Sequence, residues 1–123
     1  MIVDDSATAR MFVRRCLEIS RVFESAEYLE AGNGVEALKL LQEHAVEMIF
    51  TDLTMPEMDG ESLFKRVMAN PKYNEIPVVV ISSIGNPAKD SQLLAMGVKA
   101  VVKKPVSPAK LAEVFRAMNG AGN

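Results

Sequence analysis

Three acidic residues, two serines and two lysines stand where apolar runs end. Asp4 and Asp5 follow Met1-Ile2-Val3, Asp52 follows Met48-Ile49-Phe50-Thr51, Ser82 and Ser83 follow the β-branched run 76–81, and Lys103 and Lys104 follow Ala100-Val101-Val102. Gathered at one edge, the carboxylates need something to offset their charge. Two of them about 4 Å apart repel by roughly 4 kcal/mol at an effective dielectric of about 20. The remedies are a raised pKa on one acid, a nearby cation or a bound metal. All-oxygen donors with room for water and a phosphate oxygen suit Mg²⁺ better than a transition metal. A lysine adds a mobile point charge able to meet an anion, and a serine hydroxyl can donate to the same anion. Together these groups describe a phosphoryl site. Metal and lysine neutralise the group, the hydroxyl orients it, and a carboxylate oxygen attacks.

That reading requires a fold that brings the ends of four separate runs together. The first run is short, and Ser6 is placed to cap a helix in which Met11, Phe12, Cys16, Leu17 and Ile19 recur at helical spacing. A weaker strand covers 25–31 and closes at Gly32-Asn33-Gly34; Val35, Leu38, Leu41 and Val46 then mark a second helix. After Asp52 a loop containing Pro56 and Gly60 leads to a helix with Leu63, Phe64 and Val67, which Asn70-Pro71 ends. The fourth strand, 76–81, carries Pro77 at its start, where a missing N–H is tolerable. Pro87–Met96 reads as a helix with Leu93, Leu94 and Met96 apolar and Gly97 at its C-cap. Ser107-Pro108 opens the last helix, with Leu111, Val114, Phe115 and Met118 apolar and Gly120 closing it.

Strands that read as unbroken apolar runs are buried on both faces, and strand–helix alternation implies right-handed crossovers in a parallel sheet. The expected fold is therefore α/β: a doubly wound five-stranded parallel sheet with five helices, residues 1–123 forming one domain. In such sheets a ligand sits beyond the carboxyl ends of the strands, at the switch point in strand order. With order 2-1-3-4-5 the first and third strands are neighbours, and Asp4, Asp5 and Asp52 share one crevice. The first strand should be central, yet only three residues precede Asp4. Either it is short or it continues in residues before Met1.

Composition narrows the partners. The chain is 49% hydrophobic and 24% charged, ordinary for a globular protein, and its net charge of −2 creates no field that would recruit nucleic acid or an anionic membrane. The lone Cys16 makes no internal disulfide, and neither an apolar run of roughly 18 residues nor a signal-peptide layout is present. A cytoplasmic protein without membrane insertion is expected. Singly, each site residue has a plainer use: Asp4, Asp5 and Ser6 as caps, Asp52 as a turn former, Lys104 as a solvated charge, Ser82 bonded to its own backbone. What argues against those uses is that all fall at one sheet edge. His44 reads as a charge at a helix C-terminus and Cys16 as core.

With these residues in place the sequence resembles the receiver domain of two-component response regulators, most closely the single-domain, chemotaxis-type (CheY-like) receiver. The marks are Ile2-Val3-Asp4-Asp5-Ser6, the run from Asp52 through Met55-Pro56-Glu57-Met58-Asp59-Gly60, the Ser82-Ser83 strand end, and Lys104-Pro105. The resemblance implies that Asp52 is the phosphoacceptor, charged by a histidine kinase, a phosphotransfer domain of a phosphorelay, or small phosphodonors. It implies Mg²⁺ bound by Asp5, Asp52 and the Thr54 carbonyl, with Asp4 assisting through water. Lys104 would pair with Asp52 and then with the phosphoryl group. Ser82 would be the switch hydroxyl, and the Lys104-Pro105 peptide would be cis. The output would be a face built from the fourth helix, fifth strand and fifth helix, docking a downstream effector protein. Such a chain accepts a phosphoryl group and assists its own phosphorylation and dephosphorylation, and is not an enzyme in the usual sense.

The sequence also departs from the family pattern. Val101 stands where Tyr or Phe is usual, which puts an aromatic rotamer switch in doubt. Ser83 replaces a small residue, and Thr54 and Ile84 offer no acid or amide to orient a hydrolytic water, so slow dephosphorylation is expected. Two other aspartate- or phosphate-using folds fit less well. A haloacid-dehalogenase-like phosphatase wants a second acid two residues after its nucleophile, where Thr54 stands, and a flavodoxin-like protein would not place Asp4-Asp5-Ser6 against a phosphate. The remaining alternative is a receiver-like module that binds proteins without being phosphorylated.

Overall fold

The computed structural model describes residues 1–83 and 86–120. Among these, five strands alternate with five helices: β1 (Ile2–Val3), α1 (Ala7–Ser20), β2 (Glu30–Ala31), α2 (Gly34–Glu43), β3 (Ile49–Asp52), α3 (Gly60–Ala69), β4 (Val78–Ser82), α4 (Pro87–Met96), β5 (Ala100–Lys103) and α5 (Pro108–Gly120). Every strand pair is parallel and the order is β2-β1-β3-β4-β5, as expected.

The pleat divides the core in two. Successive side chains on a strand point to opposite faces, so Val3, Ile49, Val78 and Val80 join a cluster with Ala37, Leu63, Phe64 and Leu93 from α2, α3 and α4. Ile2, Phe50, Val79, Ile81 and Val102 join the opposite cluster with Val13, Cys16, Leu17, Leu111 and Phe115 from α1 and α5. Both faces are covered, which is why these strands read as unbroken apolar runs.

Each helix begins just beyond a strand end, with a side chain that accepts an otherwise unpaired N–H. Ser6, Asn33, Asp59 and Asn86 cap α1 to α4, and Ser107 Oγ accepts the Lys110 N–H at 3.1 Å for α5. A cap of this kind contributes about 1 kcal/mol. Gly97 ends α4 at φ 115°, a left-handed conformation open to glycine without strain.

Several local expectations need correction. In α1 the sheet-facing stripe is Val13, Cys16 and Leu17, while Met11, Phe12 and Ile19 are exposed. Val35 and Leu94 are likewise exposed, so the buried stripe of α2 runs through Ala37 and Leu41 and that of α4 through Leu93. The second strand shrinks from 25–31 to Glu30–Ala31, because an edge strand has one neighbour and pairs only where β1 offers a partner. Val46 lies beyond α2, which ends at Glu43 with His44 as its C-cap. Ile76 and Pro77 precede β4, whereas Asp52, Ser82 and Lys103 are the last residues of their strands.

Candidate functional site

Alternation along the strands decides which polar ends meet. Ile2 and Phe50 share the α1/α5 face, so Asp4 and Asp52, two residues on, continue on that parity. On β5, Val102 has that parity and Lys103 does not. Lys103 accordingly turns to α4 and pairs with Asp90. Lys104 turns back toward the aspartates, its Nζ 3.4 Å from Asp52 Oδ2 and 3.6 Å from Asp4 Oδ2.

Asp4 is buried and held through three groups. Its N–H donates to Ala31 O at 3.0 Å, its Oδ1 accepts the Ser6 N–H at 2.9 Å, and its carbonyl accepts Arg10 Nη1 at 2.6 Å. Asp5 follows in an exposed bend. Asp52 is buried at the end of β3, where the Leu53 N–H donates to Ile81 O at 3.0 Å and the Thr51 hydroxyl donates to the Asp52 carbonyl at 3.0 Å. Gly60 opens α3 directly against that carbonyl. A Cβ at Gly60 would lie 2.3 Å from Asp52 O, so the approach requires glycine. The Thr54 side chain is exposed, while its backbone amide favours the ionised Asp52 carboxylate.

Burial pushes the Asp52 carboxyl above its ordinary range, and the Asp4 charge pushes the same way. Lys104 and the Thr54 amide pull it back without restoring it. Asp4, Asp5 and Asp52 each offer an oxygen within 4.8 Å of the others. Three negative charges thus face one ammonium. The excess, the all-oxygen donors and an exposed Asp5 that leaves room for water fit a hard divalent cation such as Mg²⁺.

Ser82 is buried at the end of β4, and its carbonyl accepts the Lys104 N–H at 2.8 Å, tying the serine end to the lysine end. The Lys104-Pro105 peptide is cis, as expected. Ser83 is exposed, and Val101 is half-buried against the α2/α3/α4 cluster. Ile84 lies outside the described residues. The structure therefore brings together the side chains of Asp4, Asp5, Asp52 and Lys104, ties the Ser82 backbone to the Lys104 N–H, and turns Lys103 away toward Asp90.

Sequence reasoning missed the brace residues. Arg10 bonds the Asp4 carbonyl. Lys110 Nζ donates to the carbonyls of Lys103 and Pro105, on either side of Lys104, at 3.2 and 2.8 Å. Neither carries a motif signal, because each is a long side chain reaching a backbone oxygen.

A family model described as the response regulator receiver domain matches residues 1–116. The chemotaxis protein CheY homolog of Campylobacter jejuni is 36% identical over 124 aligned positions, covering 100% of this chain and 93% of that protein. Two-component response regulator ORR11 of Oryza sativa is 38% identical over 116 positions, covering 94% of this chain and 76% of that protein. Among solved structures, the chemotaxis response regulator CheY4 of Vibrio cholerae superposes with a TM-score of 0.81 at 27% identity, covering 95% of this chain and 94% of that one.

Proposed function

The chain belongs to the response regulator receiver domain family and is a CheY-like receiver of two-component signalling; from that premise we propose that Asp52 is its phosphoacceptor. The observation that carries the reading is the pairing of a buried Asp52 with Lys104 at 3.4 Å, beside two further carboxylates. An Asp52 oxygen attacks the phosphorus of a phosphohistidine on a histidine kinase or phosphotransfer domain. The new O–P bond forms as the P–N bond breaks, and the imidazole leaves with the electron pair. The Lys104 ammonium, already within reach of Asp52, moves to the incoming phosphoryl oxygens, and the Ser82 hydroxyl donates to one of them.

Mg²⁺ is typical of the family. Here Asp5, Asp52 and the Thr54 carbonyl would hold it, with Asp4 assisting through water, and it would supply charge neutralisation for the transferring group. The protein is a phosphoacceptor that assists its own modification rather than a turnover enzyme. Its output is an effector protein docked on the α4–β5–α5 face. No helix among the described residues is long and apolar enough to cross a membrane.

The test is incubation with Mg²⁺ and acetyl phosphate or phosphoramidate, read by intact mass for wild type and Asp52→Asn. A Mg²⁺-dependent gain of one phosphoryl group, absent from the variant, supports the assignment. Mg²⁺ binding without any gain in wild type overturns it in favour of a module that signals by binding alone.

A further inference from the structure

Arg10 sits in the first turns of α1 with its guanidinium divided between two elements. Nη1 donates to the Asp4 carbonyl at 2.6 Å, and Nε donates to Glu30 Oε1 on β2 at 2.9 Å. The side chain is only 19% exposed, and Glu30 also faces Arg14 Nη1 at 4.0 Å. The bond to Asp4 is short and charge-assisted, and the planar fork of arginine reaches both acceptors at once.

The consequence lies in the peptide that Arg10 grips. The Asp4 carbonyl belongs to the planar unit leading into Asp5. Fixing its oxygen fixes the direction in which the chain enters Asp5. Asp4 has its own restraints, from Ala31 and Ser6. Asp5 is exposed, with no burial to orient it. We propose that Arg10 is a positioning residue for Mg²⁺, acting through the Asp4–Asp5 peptide to aim the Asp5 carboxylate at the site shared with Asp52. This inference rests on the metal assignment above.

Charge and geometry predict opposite signs, which makes the proposal testable. A cation beside an acidic cluster repels a second cation, so by charge alone removing Arg10 tightens Mg²⁺ binding. By positioning, removing it weakens binding.

Isothermal titration calorimetry of the full chain with Mg²⁺, well below the unfolding temperature, separates the two. Arg10→Ala is expected to raise the Mg²⁺ Kd roughly tenfold, the scale for lost groups that orient metal ligands. Arg10→Lys, which keeps the charge but not the fork, should fall between it and wild type. Glu30→Gln, which leaves the Asp4 bond in place, should remain within about twofold of wild type by the same reasoning. An unchanged or lower Kd in Arg10→Ala overturns the proposal. Should Arg10→Ala fail to fold, an unchanged Kd in Arg10→Lys overturns it equally. Failure of wild type to bind Mg²⁺ would instead remove the metal assignment itself, and the inference with it.

Discussion

Asp52→Asn is expected to stabilise the protein at neutral pH without Mg²⁺, and the contacts of Asp52 show why. Lys104 Nζ at 3.4 Å from Asp52 Oδ2 corresponds to an attraction of about 5 kcal/mol at an effective dielectric of about 20. Asp4 and Asp52 offer oxygens within 4.8 Å of each other, a repulsion of about 3.5 kcal/mol or more on the same scale. These nearly cancel. The cost of dehydrating a buried ion, several kcal/mol, therefore sets the sign, in agreement with burial as the leading cause of the raised Asp52 pKa.

The pH dependence follows from that direction. A carboxyl raised above its ordinary 3.8 contributes its full stability below that value and loses it as pH rises through the folded pKa. Wild type loses this contribution and the Asn variant has none to lose. Urea denaturation in EDTA should show Asp52→Asn more stable at pH 7.5 by on the order of 2 kcal/mol, or roughly 8 °C in Tm. The gap should close toward pH 4. Saturating Mg²⁺ should reverse it, since a ligand at about 100 times its Kd adds roughly 2.7 kcal/mol to the form that binds it. A variant no more stable than wild type at pH 7.5, or a gap equal at both pH values, would refute the reasoning.

Gly60→Ala places a Cβ 2.3 Å from Asp52 O and 3.1 Å from Leu53 Cα, both backbone; a loss of about 3 kcal/mol is expected in urea denaturation, and less than about 1 kcal/mol would contradict the close approach. Glu57, at φ 65°, occupies left-handed backbone that costs a non-glycine residue about 1 kcal/mol. Glu57→Gly should raise Tm slightly, and a fall would show that its side chain matters more than its backbone. Lys110→Met removes the bonds to the Lys103 and Pro105 carbonyls. It should slow phosphorylation by phosphoramidate several-fold while leaving the Mg²⁺ Kd unchanged; equal rates would deny the brace a role. With Thr54 exposed and carrying no acid or amide, phospho-Asp52 should persist for minutes or longer, and decay within seconds, followed by mass, would count against this.

How much of this was legible beforehand depended on whether the cause was local. The alternation of strands and helices was readable because strands covered on both faces are apolar without a break, as Val78 to Ile81 are. The site was readable because each of those runs stops at a polar residue. What failed required knowledge of neighbours. Met11, Phe12 and Ile19 look like a helix stripe, yet the sheet lies against Val13, Cys16 and Leu17. Lys103 and Lys104 are chemically identical and adjacent, and only the pleat sends one to Asp90 and the other to Asp52. The Gly60 contact with Asp52 O and the Arg10 bond to Asp4 O are tertiary, and no local pattern announces them.

The same pleat bears on how a change at Ser82 would travel. Val101, where an aromatic is usual, faces the α2/α3/α4 side and is packed against that cluster, so no ring is available there to rotate. Two ion pairs join α4 to its neighbours: Asp90 to Lys103 on β5, and Lys89 to Glu61 on α3. Its buried residue is Leu93, whereas α1 and α2 bury three each and α3 four. One carboxylate oxygen of Asp90 is buried with no hydrogen-bond partner among the described residues, an arrangement that costs stability. Elements with few buried apolar contacts open at the lowest free energy. With Leu93 buried, Met96 packed beside it and two ion pairs to its neighbours, α4 is expected to open at a lower free energy than α1, α2 or α3. With Val at position 101 there is no aromatic ring through which coupling to the proposed α4–β5–α5 face could run.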